Sequence, residues 1–261
     1  MRNTLLLILF LFSFTQCRTQ FIYNSGWESG NILQGKLFNK FSLCNPPYDG
    51  TVSDSFARSG TQSARFEVRT TDTICGYSIR AELYNYLTPG FTFWTAFSEY
   101  IPAWIPYDDI RETHAQMHDA GKLGSPLWGF MLDQDRWKFG QSFDTLETGK
   151  QISPPKYDLG PIAKGVWTDW VVYSKFRLDP SGEIKVWKNG ELVLDLKGAN
   201  YNMVNGVYQP VPYLKFGIYK WPWKRPGNYT VTKKVVYIDD VKMGDSTATI
   251  KDFLYPQSNN E

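Results

Sequence analysis

Metal ligands are scarce in this sequence: 261 residues hold three cysteines and two histidines. Neither Cys44 nor Cys75 has a Cys-x-x-Cys partner or a neighbouring histidine, which argues against a cysteine-based zinc site. Charge of one sign is also lacking. Lys and Arg exceed Asp and Glu by only +2, so no global field draws the chain to nucleic acid, and attraction to a polyanion must come from local clusters. There is no internal repeat, low-complexity tract or Pro/Gly linker, and no stretch has a convincing amphipathic helical period. One apolar run stands out, Leu5 to Phe14. It is too short to span a bilayer.

That run follows Arg2 and suits the hydrophobic segment of an export signal. Residues 1–18 are therefore read as a signal and residues 19–261 as one domain. Cys17 closes the signal and leaves two outcomes open, lipidation at that cysteine or simple secretion. In an oxidising compartment Cys44 and Cys75 read as one disulfide closing a loop of about 30 residues, with two buried free thiols as the alternative.

Aromatic residues are abundant, with 10 Trp, 16 Tyr and 17 Phe. They fit a core of large β-formers, and also rings that stack on sugars. From Thr19 onward the pattern is short alternating runs between turns. Ser63–Arg69, Phe91–Tyr100, Trp128–Leu132, Trp167–Leu178, Gly182–Trp187, Glu191–Leu196, Tyr213–Trp221 and Val231–Val241 all read as strands. Asn189-Gly190 predicts a tight hairpin between two of them. The fold class is all-β, two stacked antiparallel sheets in a sandwich or jelly roll, with a concave groove suited to a polymer.

Both histidines lie in His114-Ala115-Gln116-Met117-His118. On a strand, His114, Gln116 and His118 share one face. A His-x-x-x-His zinc site on a helix is the alternative, but the Glu of the protease motif is missing and the flanks are not helical. Buried structural histidines are a third reading. In Tyr213–Trp221 the same period puts Tyr213, Lys215, Gly217, Tyr219 and Trp221 on one face and Leu214, Phe216 and Ile218 on the core face. Gly217 would leave room for close approach of a ligand. Lys220, Lys224 and Arg225, interleaved with Trp221 and Trp223, add cations suited to a polyanion. In Arg80-Ala81-Glu82-Leu83, Arg80 and Glu82 share a face and can pair.

Arg80-x-Glu82-Leu83, Gln116-x-His118 and Tyr213-x-Lys215-x-Gly217-x-Tyr219, in that order, resemble the three signature segments of jelly-roll polysaccharide lyases. That group includes alginate lyases, glucuronan lyases and heparinase-I-type enzymes. Trp167-Thr168-Asp169-Trp170, Val186–Gly190 and Tyr237–Val241 extend the resemblance over most of the chain after residue 25. Met117, Phe216 and Lys220 depart from the alginate version. The resemblance implies β-elimination on a 4-linked uronate, probing four catalytic residues. Arg80 and Gln116 would neutralise the sugar carboxylate with His118 assisting, and Tyr219 would protonate the leaving O4. Tyr219 would also be the base on glucuronate or mannuronate, with Lys215 favouring its phenolate, and His118 the base on iduronate or guluronate. Tyr213, Lys215, His114, Lys220, Trp221, Lys224 and Arg225 are the expected substrate-binding residues, with His114 lining the groove or serving a structural part.

No cofactor is expected for catalysis, and a structural calcium is expected on Glu28 and Asp240. The expected partner is an acidic polysaccharide, glucuronan or ulvan-like before alginate or heparin-like. The chain is expected to be a monomer that meets a membrane only through an N-terminal lipid anchor. Asn228-Tyr229-Thr230 is a glycosylation sequon that matters only in a eukaryotic source. A non-catalytic carbohydrate-binding module on the same fold remains the alternative. A laminarinase-type hydrolase lacks its closely spaced carboxylates, since Asp108–Glu112 has the wrong spacing.

Overall fold

The computed structural model describes residues 21–119, 124–204, 207–208 and 212–255. The N-terminal apolar run and Cys17 lie outside the described residues. In chain order the first strands are β1 (Phe21–Ser25), β2 (Asn39–Leu43), β3 (Gly50–Ser53), β4 (Ser63–Arg69), β5 (Ile79–Asn85) and β6 (Thr92–Tyr100). Next come β7 (Glu112–His118), β8 (Trp128–Asp133), β9 (Arg136–Gln141), β10 (Tyr157–Pro161), β11 (Trp167–Lys175) and β12 (Glu183–Lys188). The last are β13 (Glu191–Lys197), β14 (Met203–Val204), β15 (Val207–Tyr208), β16 (Tyr213–Lys220) and β17 (Lys233–Gly244).

Among the described residues these strands form two antiparallel sheets and one small hairpin. One sheet runs β13-β12-β11-β6-β17-β4-β3, with β1 also on β17, and the other runs β10-β9-β8-β7-β16-β5-β2. Alternation explains the sandwich: Ala64, Phe66 and Val68 of β4 point inward with no exposure, as do Leu214, Phe216 and Ile218 of β16. Phe66 meets Phe216 edge-on across the core, and Phe97 meets Phe130. Asn189 and Gly190 both have positive φ between β12 and β13, the conformation a two-residue hairpin turn requires. The run expected through Trp221 stops at Lys220, because Pro222 opens a short 3-10 turn over Trp221–Lys224. The run expected to reach Leu178 stops at Lys175.

Cys44 and Cys75 form a disulfide with Cα atoms 5.6 Å apart, tying the end of edge strand β2 to the loop before β5. The three strands that carry the signature segments, β7, β16 and β5, are neighbours at the middle of the second sheet.

Gly217 serves the backbone of β16. It has φ +131°, and a Cβ there would fall 2.1 Å from the Ala81 carbonyl oxygen of β5. Strand packing therefore demands glycine at this position. Gly217→Ala is expected to cost about 1–3 kcal/mol or more, read as a lower midpoint in thermal unfolding.

Candidate active site

Register brings the signature residues together. Across β5 and β16, Arg80 faces Tyr219, Glu82 faces Gly217 and Tyr84 faces Lys215. Across β16 and β7, Lys215 faces Gln116 and Tyr213 faces His118. Arg80, Gln116, His118, Tyr213, Lys215 and Tyr219 thus occupy one patch on the outer face of this sheet, as the sequence predicts.

Glu82 is the hub that sequence reasoning treated only as a partner for Arg80. It is 1% exposed. Gln116 Nε2 donates to its Oε1 at 2.5 Å, and Arg80 Nη1 lies 3.6 Å from its Oε2. Arg80 Nη1 also donates to the Tyr84 hydroxyl at 3.4 Å, and that hydroxyl pairs with Ser42 Oγ at 2.6 Å. The guanidinium carbon sits 4.5 Å over the Tyr219 ring. Lys215 is nearly buried, its Nζ 4.8 Å from the Tyr84 ring centre and 5.5 Å from that of Tyr213.

Burial pushes the Tyr219 phenol above its ordinary pKa, and Arg80 opposes that shift. Arg80 is the cation stacked on this ring, whereas Lys215 Nζ lies against the Tyr84 and Tyr213 rings. Burial also drives Lys215 down, with Glu82 pulling it back up and Arg80 adding to the fall.

His118 stacks on Tyr213 with ring centres 5.8 Å apart. Burial, then Lys215 and Arg80, push its pKa down to about 3. The imidazole is neutral near pH 7 and can accept a proton, but it brings no positive charge to a carboxylate. The unfolded chain takes up a proton below pH ~6.5 that the folded site refuses. This histidine's contribution to stability is therefore lost progressively as pH falls from ~6.5 toward about 3. His118→Gln is expected to flatten that part of the stability–pH curve in denaturant titrations.

Two expected groove residues are buried instead. His114 faces the interior because β7 carries a bulge between Thr113 and Ala115 opposite β8. Its Nδ1 pairs with Glu99 of the other sheet, and its Nε2 lies 3.3 Å from Glu112. Burial alone would lower His114, but Glu99 and Glu112 outweigh it and hold the pKa up at about 9. It is a buried ion-pair partner, not a groove residue. Lys220 is fully buried as well, its Nζ 2.6 Å from Asp108 and 3.1 Å from Glu112. It follows Tyr219 on the strand, so alternation itself turns it to the core face. Lys220→Met leaves two buried carboxylates without this partner and is expected to cost about 3–5 kcal/mol in urea unfolding. A surface lysine would change stability by only about 0.5 kcal/mol.

Trp221 lies at the groove as expected, 38% exposed. Lys224 Nζ and Arg225 Cζ sit 4.7 and 5.1 Å from its ring centre. Those two cations line a neighbouring depression with Asp72 and Tyr229, beside the main cavity. The main cavity, ≈ 590 Å³, includes Tyr219, Gln116, Thr113 and Trp221 and extends over β8 and β9 to Lys156. Sequence reading missed its far half, where Gly129, Gly140, Arg111 and Lys156 lie.

The calcium expectation meets a poor ligand set. Both Glu28 oxygens accept hydrogen bonds from Thr61 and Gln62, capping the turn between them. Asp240 Oδ1 accepts from Ser59 Oγ at 2.9 Å, while Oδ2 is buried without a hydrogen-bond partner. Among the described residues no group of three or more His, Cys, Asp or Glu is arranged to hold a metal. Glu28 and Asp240 as they stand do not fit a calcium site, which needs six to eight oxygens.

The family model for polysaccharide lyases matches residues 23–242. This chain belongs to that family. Solved structures share the lyase's fold at low identity. The endo-β-1,4-glucuronan lyase from the fungus Trichoderma reesei superposes with a TM-score of 0.71 at 16% identity, over 88% of this chain and 97% of that one. The cellulose-induced protein Cip1 gives 0.60 at 13% identity, over 87% and 98%. The alginate lyase Aly36B gives 0.54 at 14% identity, over 85% and 92%. No curated protein sequence matches this lyase.

Proposed function

We propose that this lyase cleaves a 4-linked uronic-acid polysaccharide by β-elimination within the chain, with glucuronan or an ulvan-like polymer as substrate. One observation carries the reading. A buried carboxylate, Glu82, holds Arg80 and Gln116 beside Tyr219, with Lys215 and His118 next to them on the same face. The solved glucuronan lyase with the same fold is an endo-acting enzyme, which supports this substrate class.

The chemistry follows from charge. Removing the C5 proton beside a carboxylate builds negative charge on that carboxylate, so fixed donors there stabilise the transition state. Arg80 and Lys215 supply the cations and Gln116 a neutral donor. The buried Tyr219 phenol stays protonated near neutral pH and gives its proton to O4 as the bond to C4 breaks. On glucuronate, where the C5 proton and O4 lie on one face, Tyr219 in its deprotonated form also takes the C5 proton. On a uronate with the two on opposite faces, the neutral His118 takes it. With two protein cations on the carboxylate, the reaction is proposed to need no metal. Export is proposed as well, on the Leu5–Phe14 run and the Cys44–Cys75 disulfide.

The test is a panel of purified uronate polymers, each incubated with enzyme in the presence and absence of EDTA. Unsaturated uronate ends, read by their ultraviolet absorbance, are expected on glucuronan or ulvan at equal rates in both conditions. No absorbance change on any uronate polymer would sink the reading. A rate that collapses with EDTA would remove the claim of metal independence.

A further inference from the structure

A row of cross-strand partners runs from the proposed catalytic centre along the main cavity. Lys215 of β16 faces Gln116 of β7, Gln116 faces Gly129 of β8, and Gly129 faces Gly140 of β9. Two paired glycines leave the outer face of β8 and β9 without side chains at this row. At Gly140 the missing side chain makes room for its neighbours: a Cβ there would fall 2.6 Å from Met131 Cε and 3.7 Å from Lys156 Cγ, so the Met131 methyl and the Lys156 stem pack over this glycine. One interstrand spacing, about 5 Å, separates Gln116 from Gly129. A sugar lying over Gly129 is therefore next in the chain to one held at Gln116 and Tyr219.

Two cations border this glycine floor. Arg111 and Lys156 both line the cavity, and Lys156 feels Arg111 as a like charge. Burial and then Arg111 push the Lys156 pKa down, while Asp133 pulls it up. Their neighbours on the same sheet are compensated. Arg136 lies 2.7 Å and Lys138 3.3 Å from Asp158. Among the described residues neither Arg111 nor Lys156 forms such a salt bridge. Two exposed cations without a carboxylate partner thus line one cavity beside Gly129, an arrangement suited to an anion.

We propose that the glycine-floored half of the cavity is a second uronate subsite, in which Arg111 and Lys156 hold the carboxylate of the sugar adjoining the one that is cleaved. The assignment rests on the uronate-lyase reading above and adds to it a spacing rule: the substrate must carry an anionic sugar next to the reacting one. A polymer in which neutral sugars alternate with uronates would lose this contact.

Binding tests the subsite without turnover. The Tyr219→Phe protein, with and without Arg111→Gln and Lys156→Gln together, is titrated with glucuronan at low and physiological salt. Circular dichroism and a melting curve verify that each variant is folded. The double substitution is expected to weaken binding roughly tenfold at low salt, and to reduce the loss of affinity that salt causes in the parent. Equal affinity and equal salt dependence in the two proteins would overturn the subsite, as would no binding of glucuronan by either. Turnover of the wild-type enzyme on the same polymer is scored separately. Absence of product there counts against the lyase reading, whereas unchanged binding in the double variant counts against the subsite alone.

Discussion

Tyr219→Phe is expected to lower turnover on a uronate polymer by roughly 10²–10⁴-fold, the range of a lost general acid, with polymer affinity little changed. The substitution keeps the ring under the Arg80 guanidinium, 4.5 Å away, and removes only the hydroxyl that gives O4 its proton and, on glucuronate, takes the C5 proton. Initial rates of ultraviolet absorbance give kcat and KM, and equilibrium binding gives affinity. A variant with near-normal kcat would remove Tyr219 from the reaction. The wild-type pH profile sharpens the test. Burial holds the phenol above its usual pKa, so the phenolate fraction is small at neutral pH. If that phenolate takes the C5 proton of glucuronate, kcat/KM on glucuronan climbs as pH rises above neutral. A profile flat across that range would transfer the base to His118, which is already neutral there with its pKa at about 3.

Arg80→Ala is the second large effect, an expected loss of about 10²–10³-fold in kcat, as for removal of one strong donor to a developing anion. It carries a signature that a loss of folding would not produce. Arg80 is the cation that pulls the Tyr219 phenol down, so its removal is expected to shift the alkaline rise of kcat/KM to higher pH. Glu82→Gln separates positioning from charge, since the amide oxygen can still accept from Gln116 while the pairing with Arg80 is lost. Its expected loss is smaller, about tenfold, because an exposed substrate carboxylate can still reach the guanidinium. Arg80→Ala with an unchanged pH profile would show that the guanidinium acts on neither phenol nor carboxylate.

Alternation by itself settled much of this protein. A period of two residues is a local property, so the core faces of β4 and β16 and the outward set Tyr213, Lys215 and Tyr219 were legible in the chain. The same period already turned Lys220 inward, and the basic cluster around it obscured that. What alternation could not show was how strands pair. The irregularity at His114 exists only in the pairing of β7 with its neighbours, where the register shifts against both β8 and β16, and it turns His114 as well as Ala115 toward the interior, where Glu99 of the opposite sheet meets the imidazole. Asp108 and Glu112 become partners of Lys220 because β7 lies beside β16, far away in sequence. Glu82 becomes a hub, and Gly129 and Gly140 become cross-strand partners, for the same reason. Residue types and their faces belong to the sequence. The register between strands, fixed by core packing between two sheets, decided which of those residues became a site.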